Sequence, residues 1–116
     1  MPGFDAIVGN PPFLGGKKIS GVLGGAYREY LVERIASGRR GNADLVAYFF
    51  RRAASICREG GCLGLLGTNS IAQGETRHVA LDPMVEDGWG IFRAIKSAPW
   101  PGQAALYVSH VWAYHG

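Results

Sequence analysis

The run Cys62-Leu63-Gly64-Leu65-Leu66-Gly67 is apolar with no polar alternation, and it follows directly on a strongly amphipathic segment. A strand that is apolar on both faces is what a parallel sheet needs, because helical crossovers cover such a sheet above and below. In the preceding segment, Leu45, Val46, Phe49, Phe50, Ala53, Ile56 and Cys57 share one helical face, with Arg51, Arg52, Ser55 and Arg58 opposite. Asn42 is placed to cap this helix, Asp44 lies in its positive first turn, and Gly60-Gly61 ends it. A helix feeding a buried strand predicts a parallel α/β sheet. With 116 residues, 47% of them hydrophobic, the chain can enclose one core of ordinary size.

The remaining pattern fits the same class. Phe4-Asp5-Ala6-Ile7-Val8-Gly9 is a short run of strand formers stopped by Gly9 and Pro11-Pro12, which predicts a buried strand entering a rigid loop. Leu14 to Gly25 holds five glycines and Lys17-Lys18 without periodicity, and reads as a flexible basic loop. Tyr27, Leu31, Arg34 and Ile35 give a helix over about Ala26 to Ser37, closed by Gly38. A short helix is predicted over His78 to Asp87, then strands over Ile91–Lys96 and Ala105–Tyr114. The loop between those strands is too short for a helical crossover, so they should pair antiparallel. No repeat or linker divides residues 1–116, which read as one domain.

Composition narrows the function classes. No apolar run approaches the roughly 18 residues that span a bilayer, and no basic stretch followed by an apolar segment opens the chain. A cytoplasmic protein that does not enter membranes is the expectation. Cys57 and Cys62, with no histidine near them, suggest reduced buried thiols and not a zinc site. His78, His110 and His115 are too scattered for a metal or a triad, and His110 reads as a core or edge residue. The net charge of +3 is uneven: residues 1–60 carry nine Lys or Arg against five Asp or Glu, and residues 61–116 three against four. A polyanionic partner is compatible with that distribution.

Asn10-Pro11-Pro12-Phe13, directly after the first strand, carries the chemistry. The exocyclic amine of adenine is a poor nucleophile because its lone pair is delocalised into the ring. Hydrogen-bond acceptors that draw the nitrogen toward tetrahedral geometry make it reactive. The Asn10 side-chain oxygen and the Pro11 carbonyl, held by two fixed φ angles, can both accept from that NH2 group, and Phe13 offers a flat face to a base rotated out of a duplex. The tetrapeptide resembles motif IV of the amino-group DNA methyltransferases in its adenine-N6 form. Taken alone it also fits a structural turn, since Asn starts turns and Pro fixes them.

Downstream, Gly61 to Gly67 followed by Thr68-Asn69-Ser70-Ile71-Ala72-Gln73-Gly74-Glu75 is similar to the motif VI strand of the large bacterial restriction-modification methylases, and Ser97-Ala98-Pro99-Trp100-Pro101 is similar to motif VIII. The resemblance implies a Rossmann-like class I methyltransferase fold, of which residues 1–116 match the C-terminal half, a partial, mostly parallel sheet with a terminal antiparallel strand. It implies S-adenosylmethionine as methyl donor, double-stranded DNA as substrate, Asn10, Pro11, Pro12 and Phe13 as catalytic residues, and Trp100 stacking the base opposite Phe13. Trp100 otherwise anchors its loop to the core. Asn69 either orients the substrate loop or caps its strand, and Lys17, Lys18, Arg39 and Arg40 either touch phosphate or are solvated. Asp5 is expected to support the catalytic loop, and Phe49 and Phe50 to belong to the core. The family's donor-binding motifs precede motif IV, and no counterpart occurs in this sequence, so a partner chain supplying that half and target recognition is expected. Two other readings remain open: methylation of protein glutamine or ribosomal RNA through the same loop, and a non-catalytic remnant or split subunit.

Overall fold

The computed structural model describes residues 3–12, 14–68, 71, 73–99 and 107–116. Strand β1 (Phe4–Gly9) leads through a 3-10 turn at Gly16–Lys18 into the short helices α1 (Ile19–Leu23) and α2 (Gly25–Tyr30), the latter extended by one wide π-type turn over Leu31–Ile35. Helix α3 (Leu45–Ile56) runs directly into β2 (Cys57–Thr68), and α4 (Gly74–Val79) and α5 (Leu81–Glu86) precede the hairpin of β3 (Trp89–Pro99) and β4 (Tyr107–His115).

The four strands lie in the order β1-β2-β4-β3. β1 and β2 are parallel, while β4 is antiparallel to both β2 and β3. Three strands therefore share one direction and the last strand of the chain is inserted against them, as expected for a partial Rossmann-like sheet with a terminal antiparallel strand.

The core lies on one face of this sheet. Leu63 and Leu65 of β2 and Val111 and Ala113 of β4 pack with Val46, Ala47, Phe50 and Ala53 of α3 and with Val79, Leu81 and Met84 of α4 and α5. The other face presents Ala6 and Val8, Cys62 and Leu66, and His110, Trp112 and Tyr114, in register across β1, β2 and β4. Among the described residues no helix covers it, and Val8 is 84% exposed. The two-sided cover expected for β2 is thus realised on one side only, and on the other Gly64 is closed over by the Trp112 indole.

Several local expectations are corrected. Residues 14–25 are not a featureless loop, because burial of Ile19 organises a helical turn there. Asn42 does not cap α3; Asp44 occupies the cap position with extended backbone and its side chain makes no cap bond. The helix expected over His78–Asp87 is two short helices broken at Ala80. β3 extends beyond its expected limits at both ends, and β4 runs one residue further than expected, with Trp89 opposite His115 and Pro99 opposite Tyr107. The π-type turn after α2 ends at Ser37 and Gly38, both at positive φ, in agreement with the glycine stop read from the sequence.

Candidate active site

The parallel pair β1–β2 sets the position of the site. Its register brings Ala6 opposite Cys62 and Gly9 opposite Leu65, so the chain leaves both strands at the same end of the sheet, β1 into Asn10 and β2 into the segment after Thr68. The carboxyl ends of parallel strands are where open α/β sheets form ligand crevices. Asn10 and Pro12 are exposed while Pro11 is buried. The Pro11 ring is thus packed inward, and its neighbour's amide is left at the surface.

A cleft of roughly 380 Å³ adjoins the loop, lined by Asn10, Pro11 and Pro12 together with Ile7, Leu65 and the α3 residues Phe49, Arg52, Ala53 and Ile56. Phe49 corrects an expectation: it is 42% exposed on the cleft wall, whereas Phe50 is fully buried in the core. Arg52 is the one charged side chain in this lining. That lining does not fit S-adenosylmethionine, whose sulfonium would face a guanidinium and whose ribose hydroxyls would find no carboxylate. Its acceptors, the Asn10 side chain and the Pro11 carbonyl, suit an amine.

The segment after the motif is clamped from below. Leu45 N–H donates to Leu14 O at 2.8 Å, and Gly16 N–H donates to Asp44 Oδ1 at 3.1 Å. Asp44 N–H in turn donates to the Thr76 hydroxyl at 3.2 Å, and Thr76 is buried. One residue at the head of α3 therefore ties the segment after the Asn10-Pro11-Pro12 loop to the start of α4. A side chain at Gly16 would overlap the Asn42 carbonyl, so only glycine allows this approach. Sequence reading places Asp44 only at the head of its helix and misses Thr76, because the clamp contacts span 28 and 32 residues.

Other candidates divide. Lys17 and Lys18 are exposed on the 3-10 turn beyond the clamp. Phe13, Asn69 and Trp100 lie outside the described residues. Arg39 and Arg40 are engaged by carboxylates: Arg39 donates to Glu86 at 2.6 Å, and Arg40 to both oxygens of Glu29 and to Glu33. The hydrogen bond from Arg40, then its charge, holds the Glu29 carboxyl below its usual range. Asp5 does not support the loop. It pairs with Arg58 at 2.6 Å, fastening the start of β1 to the irregular first turn of β2. His110 stacks on Trp112, half-buried in the sheet.

Known proteins resemble this arrangement. The family described as Eco57I restriction-modification methylase matches residues 1–82. The Type IIL restriction-modification enzyme MmeI, solved in complex with DNA, superposes with a TM-score of 0.78 at 23% identity over 96% of this chain. The chain spans 15% of the length of MmeI. The M1.HpyAVI–SAM complex aligns with a TM-score of 0.46 at 19% identity, over 97% of this chain and 45% of that one. No curated protein sequence matches significantly.

Proposed function

Since this chain belongs to the Eco57I restriction-modification methylase family, we propose that it is the base-handling part of a DNA methyltransferase that methylates the N6 amine of adenine. The observation that carries this reading is the Asn10-Pro11-Pro12 loop at the carboxyl end of a parallel strand, with Pro11 packed and Asn10 at the surface. Asn10 Oδ1 and the Pro11 carbonyl accept from the two amine hydrogens of an extruded adenine. As the nitrogen attacks, its lone pair leaves conjugation and its N–H bonds become more acidic, so both hydrogen bonds strengthen in the transition state. Pro12 stiffens the loop, and Phe13 and Trp100 hold the base between two aromatic faces. Lys17 and Lys18, exposed beyond the clamp, meet the phosphate backbone.

S-adenosylmethionine supplies the methyl group in this reading, and its pocket belongs to polypeptide beyond the described residues. The partner or segment that carries it also carries target recognition, and the complete enzyme works in the cytoplasm within a restriction-modification or phage-defence system. An enzyme containing this chain, given donor labelled in its methyl group, should label duplex DNA, with the label recovered as N6-methyladenine. Label confined to RNA or to a release-factor protein would overturn the DNA reading. In the same enzyme Asn10→Ala should leave DNA binding intact and lower methyl transfer by about 100- to 1,000-fold. Unchanged turnover would remove Asn10 from the chemistry.

A further inference from the structure

At the end of the sheet away from Asn10, where β3 begins and β4 finishes, a cavity of about 460 Å³ opens between the last turns of α3, the Leu31–Ile35 turn and the Trp89–His115 pair. Three arginines line it, Arg34, Arg51 and Arg52, with Ser37 and Ser55 beside them, the Ser55 hydroxyl donating to Arg52 O at 2.7 Å, and Asp87 as the only acidic residue of the lining. Arg51 is half-buried and held in place: it donates to Val79 O at 2.9 Å, to Ala36 O at 3.4 Å and to Ser37 Oγ at 3.2 Å. None of these acceptors is charged, so its position is set by neutral partners, with Asp87 the carboxylate that acts on its charge.

The neighbouring carboxylates are already engaged. Glu29 and Glu33, which share an adjoining cleft with Arg34 and Arg52, are both bonded to Arg40, and Glu86 is bonded to Arg39. Among the described residues Arg34 and Arg52 form no ion pair, and both are exposed. The carboxyl end of α3 contributes only about half a negative charge, so the cavity keeps a positive excess. Burial, and after it the Arg39 guanidinium, pulls Arg51 below its ordinary value, against a smaller opposing effect of the Asp87 carboxylate. His115 closes the wall: its ring stacks on Trp89 at 4.8 Å, Nε2 lies 3.1 Å from Asp87 O, and Nδ1 is buried without a partner among the described residues.

We propose that this cavity is a phosphate-binding site, in which Arg34, Arg51 and Arg52 bind a tetrahedral oxyanion assisted by the Ser37 hydroxyl. Planar guanidiniums with several donors suit phosphate oxygens, and hydrogen bonds between charged partners are about twice as strong as neutral ones. Arg52 also lines the cleft beside Asn10, whereas Arg34 and Arg51 do not. Its phosphate comes either free in solution or from a nucleic-acid backbone.

The chain is titrated with inorganic phosphate at constant ionic strength, with chloride as the reference, and followed by calorimetry. Saturable binding is expected, weakened about tenfold or more in Arg34→Gln and again in Arg52→Gln. Both side chains are exposed and without hydrogen bonds among the described residues, so the variants should melt like the parent. Arg34→Lys, which keeps the charge but not the fork, should recover part of the affinity. A short duplex that competes phosphate off, with a salt slope about one lower in Arg34→Gln, identifies the backbone as the source. A duplex that leaves phosphate bound identifies the free ion. Heats equal to those of chloride, or equal binding by parent and both glutamine variants, would overturn the proposal.

Discussion

The two faces of the sheet both carry apolar side chains and end in opposite environments. On one, Leu63, Leu65, Val111 and Ala113 are sealed beneath α3, α4 and α5. On the other, Val8 stands largely in solvent and Tyr114 about half so, and Cys62, Leu66 and Trp112 are half-buried. Apolar character in β2 therefore specifies that a face is suited to burial, and the helices decide which face is buried. The contrast also separates what holds the chain together from what remains available for contact.

The sharpest way to break the comparison is to delete the same atoms from each face. Leu63 is 2% exposed in the core cluster, and Leu66, three residues on, is half-buried on the open side. Leu63→Ala should cost about 3 kcal/mol or more, since it leaves a cavity under α3, while Leu66→Ala should cost about 1 kcal/mol because solvent already reaches the site. Urea denaturation of the two variants measures this directly, and equal losses would mean that the open face is sealed in solution.

Next in size is Gly64. A Cβ there would stand 2.9 Å from Trp112 Cδ1, so the indole that closes the open face must move. Gly64→Ala should cost about 1–2 kcal/mol by overpacking. It should also disturb the Arg93 guanidinium, which sits 5.1 Å above the same ring. Near-ultraviolet dichroism of Trp112 would register the shift, and an unaltered spectrum with full stability would show that the ring moves freely.

The chain's architecture was largely legible, and its reasons mark the limit. α3 carries a helical periodicity, and β1, β2 and the antiparallel pair are short apolar runs bounded by glycine or proline, all of which local sequence displays. The loop Asn10-Pro11-Pro12 was legible because two prolines restrict the backbone wherever they fall. Ile19 was not, since one isoleucine among glycines has no periodicity and becomes helical only through burial against distant residues. Helical spacing placed Phe49 and Phe50 on one stripe but does not say where the cover stops. Arg51 and Arg52 read as a solvated face because Arg34, Ser37 and His115, which gather around them, lie far along the chain. Asp5 looked local to the loop and is bound to Arg58, 53 residues away. Contacts of that range depend on tertiary packing, which a linear pattern does not encode.

The two thiols compare the regions through pH. Cys57 is buried, and burial, followed by the proximity of Cys62, pushes its thiol above the usual value. An acid whose folded value is raised holds its proton more tightly when folded, so its contribution is intact below the unfolded thiol value of about 8.5 and is lost as pH rises through the folded one. Melting temperature should therefore decline above about pH 8.5, and Cys57→Ala should flatten that decline. An unchanged slope would remove Cys57 from that decline; Tyr48, whose hydroxyl is also raised by burial, contributes only above about pH 10.

The smallest expected effect is at Val8, on the edge strand of the open face and 84% exposed. Val8→Thr keeps the β-branched shape and exchanges one methyl for a hydroxyl that water can satisfy, so strand propensity is preserved and no desolvation cost arises. The change in stability should stay within about 0.5 kcal/mol. The same substitution at Val46, fully buried beneath the covered face, places its hydroxyl in the core and should cost about 1–3 kcal/mol. Should Val8→Thr destabilise as strongly as Val46→Thr, the edge of β1 would have to be covered in solution by something with an apolar surface of its own. The asymmetry between the faces would then belong to the isolated chain and not to its working state.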